Sequence, residues 1–283
     1  MKYPIPFVKM HALGNDFVAL NGYADLPLPA AEWPDLAIAM CDRHTGVGAD
    51  GLFVALPGSP GRAGMAFYNP DGTEDRCGNA LRCLARFLHD EGLSDETCLT
   101  VDTFGGPVEL CIELDGRRVA AATVDLGPPV LNPEGIPISV PQGPALNVPV
   151  SAAGREWRLN VVSTGTPHAV IVVDELPDEA LFQAASPEIE THPLFPEKTS
   201  VLWTRYTGTG SAEVRIWERA VGETLGCGTG AAAIAVVGTL LGITRGPVVV
   251  RSRGGEAIAA WDGAGSVTLT GPAHNVFRGV YFG

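Results

Sequence analysis

The chain is poor in basic residues and nearly lacks lysine. Of its 283 residues 19 are basic and 32 acidic, which gives a formal net charge of −13. A chain with this acidic charge is poorly suited to bind polyanions. Nucleic acids and anionic membrane surfaces are therefore excluded as its main partners. The lysines are Lys2, Lys9 and Lys198. None lies in a recognised cofactor motif, so little supports the Schiff base of a pyridoxal-phosphate enzyme.

Long apolar runs are also missing. No run of about 18 apolar residues occurs, so no membrane-spanning helix is expected. The first ten residues lack the apolar centre of a signal peptide, and we expect a cytoplasmic protein. No CxxC pair occurs among the six cysteines, which argues against zinc ribbons and thioredoxin-like centres. In a reducing compartment all six are expected to be thiols.

Glycine and proline are plentiful, with 35 and 23 residues. They separate short, β-branched apolar segments, a pattern typical of strands joined by tight turns. Helical patterns are few. The predicted helices cover 32–40, 79–91, 179–185 and 229–241, and a last strand is predicted at 275–282. The sequence therefore predicts an α+β protein in which strands predominate.

The main organisational feature is an internal repeat. Cys77-Gly78 at the start of one predicted helix recurs 150 residues later as Cys227-Gly228 at the start of another. Such self-similarity predicts two similar halves. We expect a first lobe of residues 1–127, to which a final strand at 273–283 returns, and a second lobe of residues 128–272.

Each repeated cysteine precedes a helix that the pattern predicts to be buried; the one after Cys227 is apolar on all sides. The N–H groups and the dipole at a helix start stabilise a thiolate, so we expect a lowered pKa for both thiols. The same N–H groups can bind a carboxylate. We therefore expect Cys77 and Cys227 to be chemically active. The other four are predicted to be packing residues: Cys41, Cys83, Cys98 and Cys111.

Two such helix starts facing one ligand suit the inversion of a carbon atom that carries a carboxylate. One thiolate would remove the α-proton, and the opposite thiol would deliver a proton to the other face. A cysteine hydrolase, with Cys77 and His168, would leave the second helix start unexplained. An amino-acid-binding module without catalysis remains an alternative, because the helix ends alone could hold a carboxylate.

Longer motifs surround these positions. They are KMHALGNDF at 9–17, DRHTGVGADG at 42–51, NPDG at 69–72 before CGN at 77–79, GTPH at 165–168, and ERAVGET at 218–224 before CGTG at 227–230. None is specific alone. Together, and over essentially the whole chain, they make the sequence resemble the diaminopimelate epimerases, which are cofactor-independent two-cysteine epimerases.

The resemblance implies two pseudo-symmetric lobes, each a curled mixed or antiparallel sheet around a central helix. It implies a homodimeric isomerase that converts LL- to meso-diaminopimelate, a lysine and cell-wall precursor, without cofactor or metal. Cys77 and Cys227 would be the acid/base pair, with His168 near Cys77 and Glu218 near Cys227. The residues expected to contact the substrate are Asn15, Asn69, Gly78, Asn79, Thr166, Ser200, Arg219, Gly228 and Thr229.

Two positions depart from the family pattern. Thr166 and Ser200 stand where the family usually has Asn and binds the distal end of diaminopimelate. Both side chains are shorter than Asn, and neither carries an amide NH₂. Arg219 and Asn69 are retained, so a distal carboxylate remains compatible with the sequence. A racemase of another amino acid, such as histidine or proline, is the alternative on the same scaffold.

Overall fold

A computed structural model describes residues 4–24, 26, 28–140 and 143–283. Lys2 and Pro141, which stands in the proline-rich segment after the predicted lobe boundary, lie outside these ranges. Over the described residues the chain is an α+β protein, which confirms the predicted fold class. No helix in this part of the chain is long and apolar enough to cross a membrane.

The helices and strands are short, as the turn-rich sequence predicts. The helices are α1 (Trp33–Cys41), α2 (Gly78–Asp90), α3 (Glu179–Glu190) and α4 (Gly228–Leu240). The strands are β1 (Ile5–Ala12), β2 (Asn15–Asn21), β3 (Gly51–Pro57), β4 (Arg62–Tyr68), β5 (Cys98–Thr103), β6 (Gly106–Asp115), β7 (Arg118–Asp125), β8 (Val148–Ala152), β9 (Arg155–Ser163), β10 (Pro167–Val172), β11 (Ser200–Gly208), β12 (Ser211–Glu218), β13 (Gly222–Thr224), β14 (Val248–Ser252), β15 (Gly255–Ala260), β16 (Thr268–Gly271) and β17 (His274–Tyr281).

The chain divides into two compact units. Unit 1 consists of Met1–Val124 and Thr270–Gly283, and unit 2 of Asp125–Leu269. In unit 1 the strand order is β17-β1-β2-β3-β4-β5-β6-β7. Helix α2 packs against the consecutive strands β1 to β4 and also against β6, which lies near the other end of this order. The sheet therefore curls around α2.

Unit 2 is built in the same way. Its strand order is β8-β9-β10-β11-β12-β14-β15, and β13 also pairs with β12. Helix α4 contacts β9, β10, β11, β14 and β15. Nearly all its side chains are buried, because it consists of small and branched apolar residues. A second core, which includes Phe182 and Trp203, lies where α3 packs on β8 and β11.

The pairing directions confirm the predicted pseudo-symmetry. From β1 to β6 neighbouring strands pair antiparallel, parallel, antiparallel, parallel and antiparallel. From β9 through β10, β11, β12 and β14 to β15 the directions are the same. The central helices α2 and α4 each have 13 residues. The repeat therefore reflects a duplicated supersecondary structure.

Two predictions about the helix bounds and the cysteine pairing were wrong. Helix α3 continues beyond 185 to Glu190, with Pro187 inside it; because α3 packs against β8 and β11, tertiary contacts offset the local cost of the proline. The expectation of six thiols also fails, because Cys98 and Cys111 form a disulfide. These residues lie directly opposite each other on β5 and β6, with their Cα atoms 4.1 Å apart.

Candidate active site

Both repeated cysteines are the N-cap residues of central helices. Cys77 precedes α2 with φ −132° and ψ 114°, and Cys227 precedes α4 with φ −130° and ψ 115°. The first backbone hydrogen bonds of the helices run from Leu81 N–H to the Cys77 carbonyl and from Ala231 N–H to the Cys227 carbonyl. The N–H groups between them have no carbonyl acceptor within the helix. Each cysteine therefore adjoins backbone donors that suit a carboxylate.

In unit 1 Cys77 is half-buried and lies beside Asn15 at the start of β2. The Cys77 thiol donates to Asn15 Oδ1 at 3.9 Å, a long contact typical of sulfur. Asn79 Nδ2 donates to the same Asn15 oxygen at 3.0 Å. The structure therefore brings together three residues that the sequence predicted for the site: Cys77, Asn15 and Asn79.

Asn15 is also hydrogen-bonded to a network of charged groups. Asn15 Nδ2 donates to Asp50 Oδ2 at 2.7 Å, and Arg43 Nη2 donates to Asp50 Oδ1 at 2.7 Å. Arg43 and Lys9 also pair with Asp16. Burial alone would raise the pKa of Asp16, but the hydrogen bonds from Arg43 and Lys9 lower it to about 2. Asp50 lies within the DRHTGVGADG motif, but its contact with Asn15 was not predicted.

Asn69 occupies a turn after β4, as the Asn-Pro-Asp-Gly sequence indicates. Its backbone N–H donates to the Thr73 carbonyl at 2.9 Å. Its side-chain Nδ2 donates to Thr73 Oγ1 at 3.1 Å and lies 3.4 Å from Asp75 Oδ2. Asn69 is therefore held as a turn former within unit 1, and its side-chain carbonyl oxygen is not used in these contacts.

In unit 2 the Cys227 thiol is almost fully buried. Gly230 N–H donates to its sulfur at 3.4 Å, and Thr229 Oγ1 lies 3.5 Å away. Burial raises the pKa of the thiol well above its usual value, and the Glu218 carboxylate raises it further. The hydrogen bonds with Thr229 and Gly230 lower this pKa, but by less than burial and Glu218 raise it. The expected lowering of this pKa was therefore wrong, because desolvation outweighs the helix start.

Glu218 and Arg219 lie at the end of β12 and in the turn that follows. Glu218 forms a hydrogen bond with Cys227 and accepts another from Thr224 Oγ1 at 2.5 Å. The backbone N–H of Arg219 donates to Ser200 Oγ at 3.1 Å. Ser200 is buried at the start of β11. Its hydroxyl therefore positions the backbone that carries Arg219.

His168 is fully buried on β10 and bound to two hydroxyl groups. Its Nε2 lies 3.0 Å from Thr229 Oγ1 and 3.1 Å from Thr166 Oγ1. Burial lowers the pKa of His168 to about 3, with a further contribution from the positive charge of Arg219. His168 is therefore neutral near pH 7. Within unit 2 it contacts the first turn of α4, the helix that begins after Cys227.

Glu190 contributes to this site, and no motif in the sequence indicated it. It is buried at the end of α3. Glu190 Oε2 accepts a hydrogen bond from Trp217 Nε1 at 2.7 Å, and Oε1 accepts one from Ala220 N–H at 2.8 Å. Ala220 has a left-handed backbone, with φ 62°. Glu190 therefore holds both ends of the short segment that carries Glu218 and Arg219, and no motif in the sequence connects it to them.

Comparisons with known proteins agree with these features. The family model described as diaminopimelate epimerase matches residues 7–132 and 160–276. The chain belongs to the diaminopimelate epimerase family. The diaminopimelate epimerase of Pelotomaculum thermopropionicum is 41% identical over 276 residues, which cover 97% of this chain and 98% of that protein. That of Desulforudis audaxviator is 44% identical over 277 residues, covering 96% and 98%. Family membership makes the chain an isomerase and confirms the resemblance stated from the motifs.

Solved structures show the same fold at low sequence identity. A hydroxyproline epimerase from Agrobacterium vitis superposes with a TM-score of 0.71 at 15% identity, covering 99% of this chain and 93% of that one. A phenazine biosynthesis protein of the PhzF family from Bacillus anthracis gives 0.70 at 16% identity, covering 99% of both chains. At such identities the likeness concerns the fold alone.

Proposed function

We propose that this member of the diaminopimelate epimerase family interconverts LL- and meso-diaminopimelate with Cys77 and Cys227 as its two acid/base groups. The observation that carries the proposal is the duplicated helix start. Two cysteines with the same backbone conformation each cap a central helix within a duplicated supersecondary structure. A hydrolase that uses one nucleophilic cysteine would not need a second cysteine at a second helix start.

The proposed reaction moves one proton off the α-carbon and another onto it. The thiolate of one cysteine takes the α-proton and becomes a thiol, while the thiol of the other gives its proton to the opposite face of the carbon and becomes a thiolate. The negative charge that develops passes to the α-carboxylate. Backbone N–H groups of Gly78, Asn79, Gly228 and Thr229 are proposed to stabilise it.

The raised pKa of Cys227 supports a role as the proton donor at neutral pH. Burial and the Glu218 carboxylate both favour its protonated thiol. Glu218 is therefore proposed to set the protonation state of Cys227. The partnership of His168 with Cys77 stays a prediction of the family resemblance. Because His168 is neutral and bound to Thr229 and Thr166, it would act as a hydrogen-bonding group rather than as an imidazolium.

The distal end of the substrate is the less constrained part of the proposal. Asn69 and Arg219 are proposed to bind it, and Asn15 is proposed to contact the substrate beside Cys77. Thr166 and Ser200 are proposed to act partly through other residues, because Thr166 contacts His168 and Ser200 accepts the Arg219 N–H. Since both replace an amide by a hydroxyl, a racemase of another amino acid is the second candidate, with the same cysteine chemistry.

A substrate panel distinguishes the two candidates. The purified protein is incubated with LL-diaminopimelate, meso-diaminopimelate, L-histidine and L-proline, and the stereoisomers are separated by chiral chromatography. We expect the two diaminopimelate isomers to interconvert and the monocarboxylate amino acids to remain unchanged. Racemisation of histidine or proline without turnover of diaminopimelate would contradict the proposed substrate and leave the two-thiol chemistry intact.

The remaining proposals concern the location, the oligomeric state and the partners of the protein. We propose a cytoplasmic enzyme that acts on a small amino acid and forms a homodimer. Family membership supports the small-molecule substrate. The acidic net charge of −13 supports the expectation that neither nucleic acid nor an anionic membrane is a partner.

Replacing Glu190 with alanine is expected to lower both stability and turnover. The Trp217 and Ala220 donors lose their buried acceptor, so the free energy of unfolding should fall by about 2–4 kcal/mol. The segment that carries Glu218 and Arg219 also loses its support, and kcat should fall about tenfold. Urea denaturation and steady-state kinetics measure the two effects.

The matched control for that change is Glu188→Ala. Glu188 lies on the same helix but is exposed, and it accepts the Ala153 N–H at 2.8 Å. Its removal should cost less than about 1 kcal/mol and leave kcat unchanged. Equal effects of the two substitutions would show that Glu190 does not position the segment that carries Glu218 and Arg219.

A further inference from the structure

The side-chain amide of Asn15 contacts Asp50 on one side and Asn79 on the other. Together these contacts determine which way the amide points. The oxygen and nitrogen of an Asn amide have almost the same shape, so their assignment depends on the hydrogen-bonding partners. On one side, the Asn15 amide meets Asp50 Oδ2 at 2.7 Å. A carboxylate only accepts hydrogen bonds. The Asn15 nitrogen must therefore face Asp50.

The other side of Asn15 is determined independently by Arg82. This arginine is fully buried on α2, and its Nη2 donates to Asn79 Oδ1 at 2.7 Å. A guanidinium only donates hydrogen bonds, so the Asn79 oxygen must face Arg82 and the Asn79 nitrogen must face away. Asn79 Nδ2 then donates to Asn15 Oδ1 at 3.0 Å. The cation at one end and the anion at the other impose the same orientation on Asn15.

We infer that Asp50 and Arg82 are positioning residues that fix the amide of Asn15 with its carbonyl oxygen toward Cys77. The oxygen lies 3.9 Å from the Cys77 sulfur and can accept a hydrogen bond only from a protonated thiol. Turned the other way, Asn15 would donate to the thiolate. The chain Arg82–Asn79–Asn15–Asp50 therefore presents Cys77 with an acceptor, which favours its thiol over its thiolate until a substrate displaces this contact.

The inference deepens the proposed function, on which it rests for the link between Cys77 and turnover. Its structural part concerns unit 1 only. Among the described residues of unit 1, the charged or titratable groups near this chain include Arg43, Asp16, Lys9, Arg86 and the buried Cys83 thiol. Arg43 loses its contact with Asp50 in every variant of the test below, so the comparison between variants separates the orientation of Asn15 from the charge of Asp50.

The test uses the full-length protein without substrate and measures how fast iodoacetamide alkylates Cys77 as a function of pH, with the Cys77 peptide quantified by mass spectrometry. Asp50→Ala removes the contact that fixes the nitrogen of the Asn15 amide and leaves only the Asn79 contact at its oxygen. We expect half-maximal alkylation of Cys77 to move to lower pH by about half a unit to one unit, because an amide held at one end only presents its oxygen to the thiol for less of the time. Asp50→Ser serves as a second variant in case the alanine variant folds poorly; the Asp50 side chain is 40% exposed.

Asp50→Asn is the matched control, because it removes the charge and keeps an oxygen. Asp50 Oδ2 accepts from both Asn15 Nδ2 and the Asp16 N–H, so an amide at position 50 is expected to turn its oxygen to these two donors. Its alkylation profile should stay close to that of the unmodified protein. An equal shift in the Asn and Ala variants, or no shift in either, would overturn the inference. Turnover of diaminopimelate by the unmodified protein is measured separately, so failure of the proposed substrate does not affect this result.

Discussion

Cys77→Ala and Cys227→Ala are each expected to reduce inversion of diaminopimelate by about 10³- to 10⁴-fold. Each thiol is proposed to serve one face of the α-carbon, and removing either leaves one proton transfer without a catalyst. Neither substitution should unfold the protein, since both cysteines stand at helix starts and alanine removes only the sulfur. Chiral chromatography of the products measures the loss, and circular dichroism checks the fold.

A matched control for these substitutions is Cys41→Ala. Cys41 is buried at the end of α1, and burial raises the pKa of its thiol to about 12, so it stays protonated at neutral pH. Its replacement should cost some stability and leave kcat close to that of the unmodified protein. Loss of turnover in only one of the two active-site variants would show that inversion does not need both thiols.

Glu218→Gln is expected to change the reactivity of Cys227 and the turnover in opposite directions. Glu218 raises the pKa of the Cys227 thiol through its charge and a hydrogen bond. A neutral amide removes the charge, so the pKa should fall and the thiolate fraction at a given pH should rise. Alkylation of Cys227 near pH 8 should therefore become faster, while kcat falls about 10- to 100-fold because less of Cys227 is present as the proton-donating thiol.

Glu223→Gln is the control for that experiment. Glu223 lies on the neighbouring strand β13, where Arg215 lowers the pKa of its carboxyl through a hydrogen bond and Arg253 adds to the effect. Its neutralisation should leave the alkylation of Cys227 unchanged and cost only stability. If Glu218→Gln slowed both alkylation and turnover, the proposed effect of Glu218 on the thiol would be wrong.

The parts of the structure that local sequence determines could be predicted. Helices α2 and α4 start within one residue of the predicted positions, because a Cys-Gly turn precedes a compact set of apolar residues in each case. The repeat at 150 residues predicted two similar halves, and the strand pairing directions of the two units agree with it. Cys77 and Cys227 were identified in the same way, since both belong to the repeated segment.

Contacts between distant segments could not be predicted. Asp50 reaches Asn15 across 35 positions and Glu190 reaches Ala220 across 30, and only the folded sheet brings them together. The Cys98–Cys111 disulfide depends on the register of β5 and β6, which composition does not specify. The raised pKa of Cys227 reflects burial and Glu218, whereas the sequence showed only the helix start.

The most direct test of the two-thiol proposal is inversion in D₂O. LL-diaminopimelate is incubated with the protein, and the deuterium at each α-carbon of the meso product is quantified by NMR and mass spectrometry. Early in the reaction, before product returns to the LL isomer, the proposal predicts one deuterium at the inverted α-carbon and none at the other, and almost no product with Cys77→Ala or Cys227→Ala. Inversion without deuterium at the α-carbon, or an undiminished rate in either variant, would contradict it.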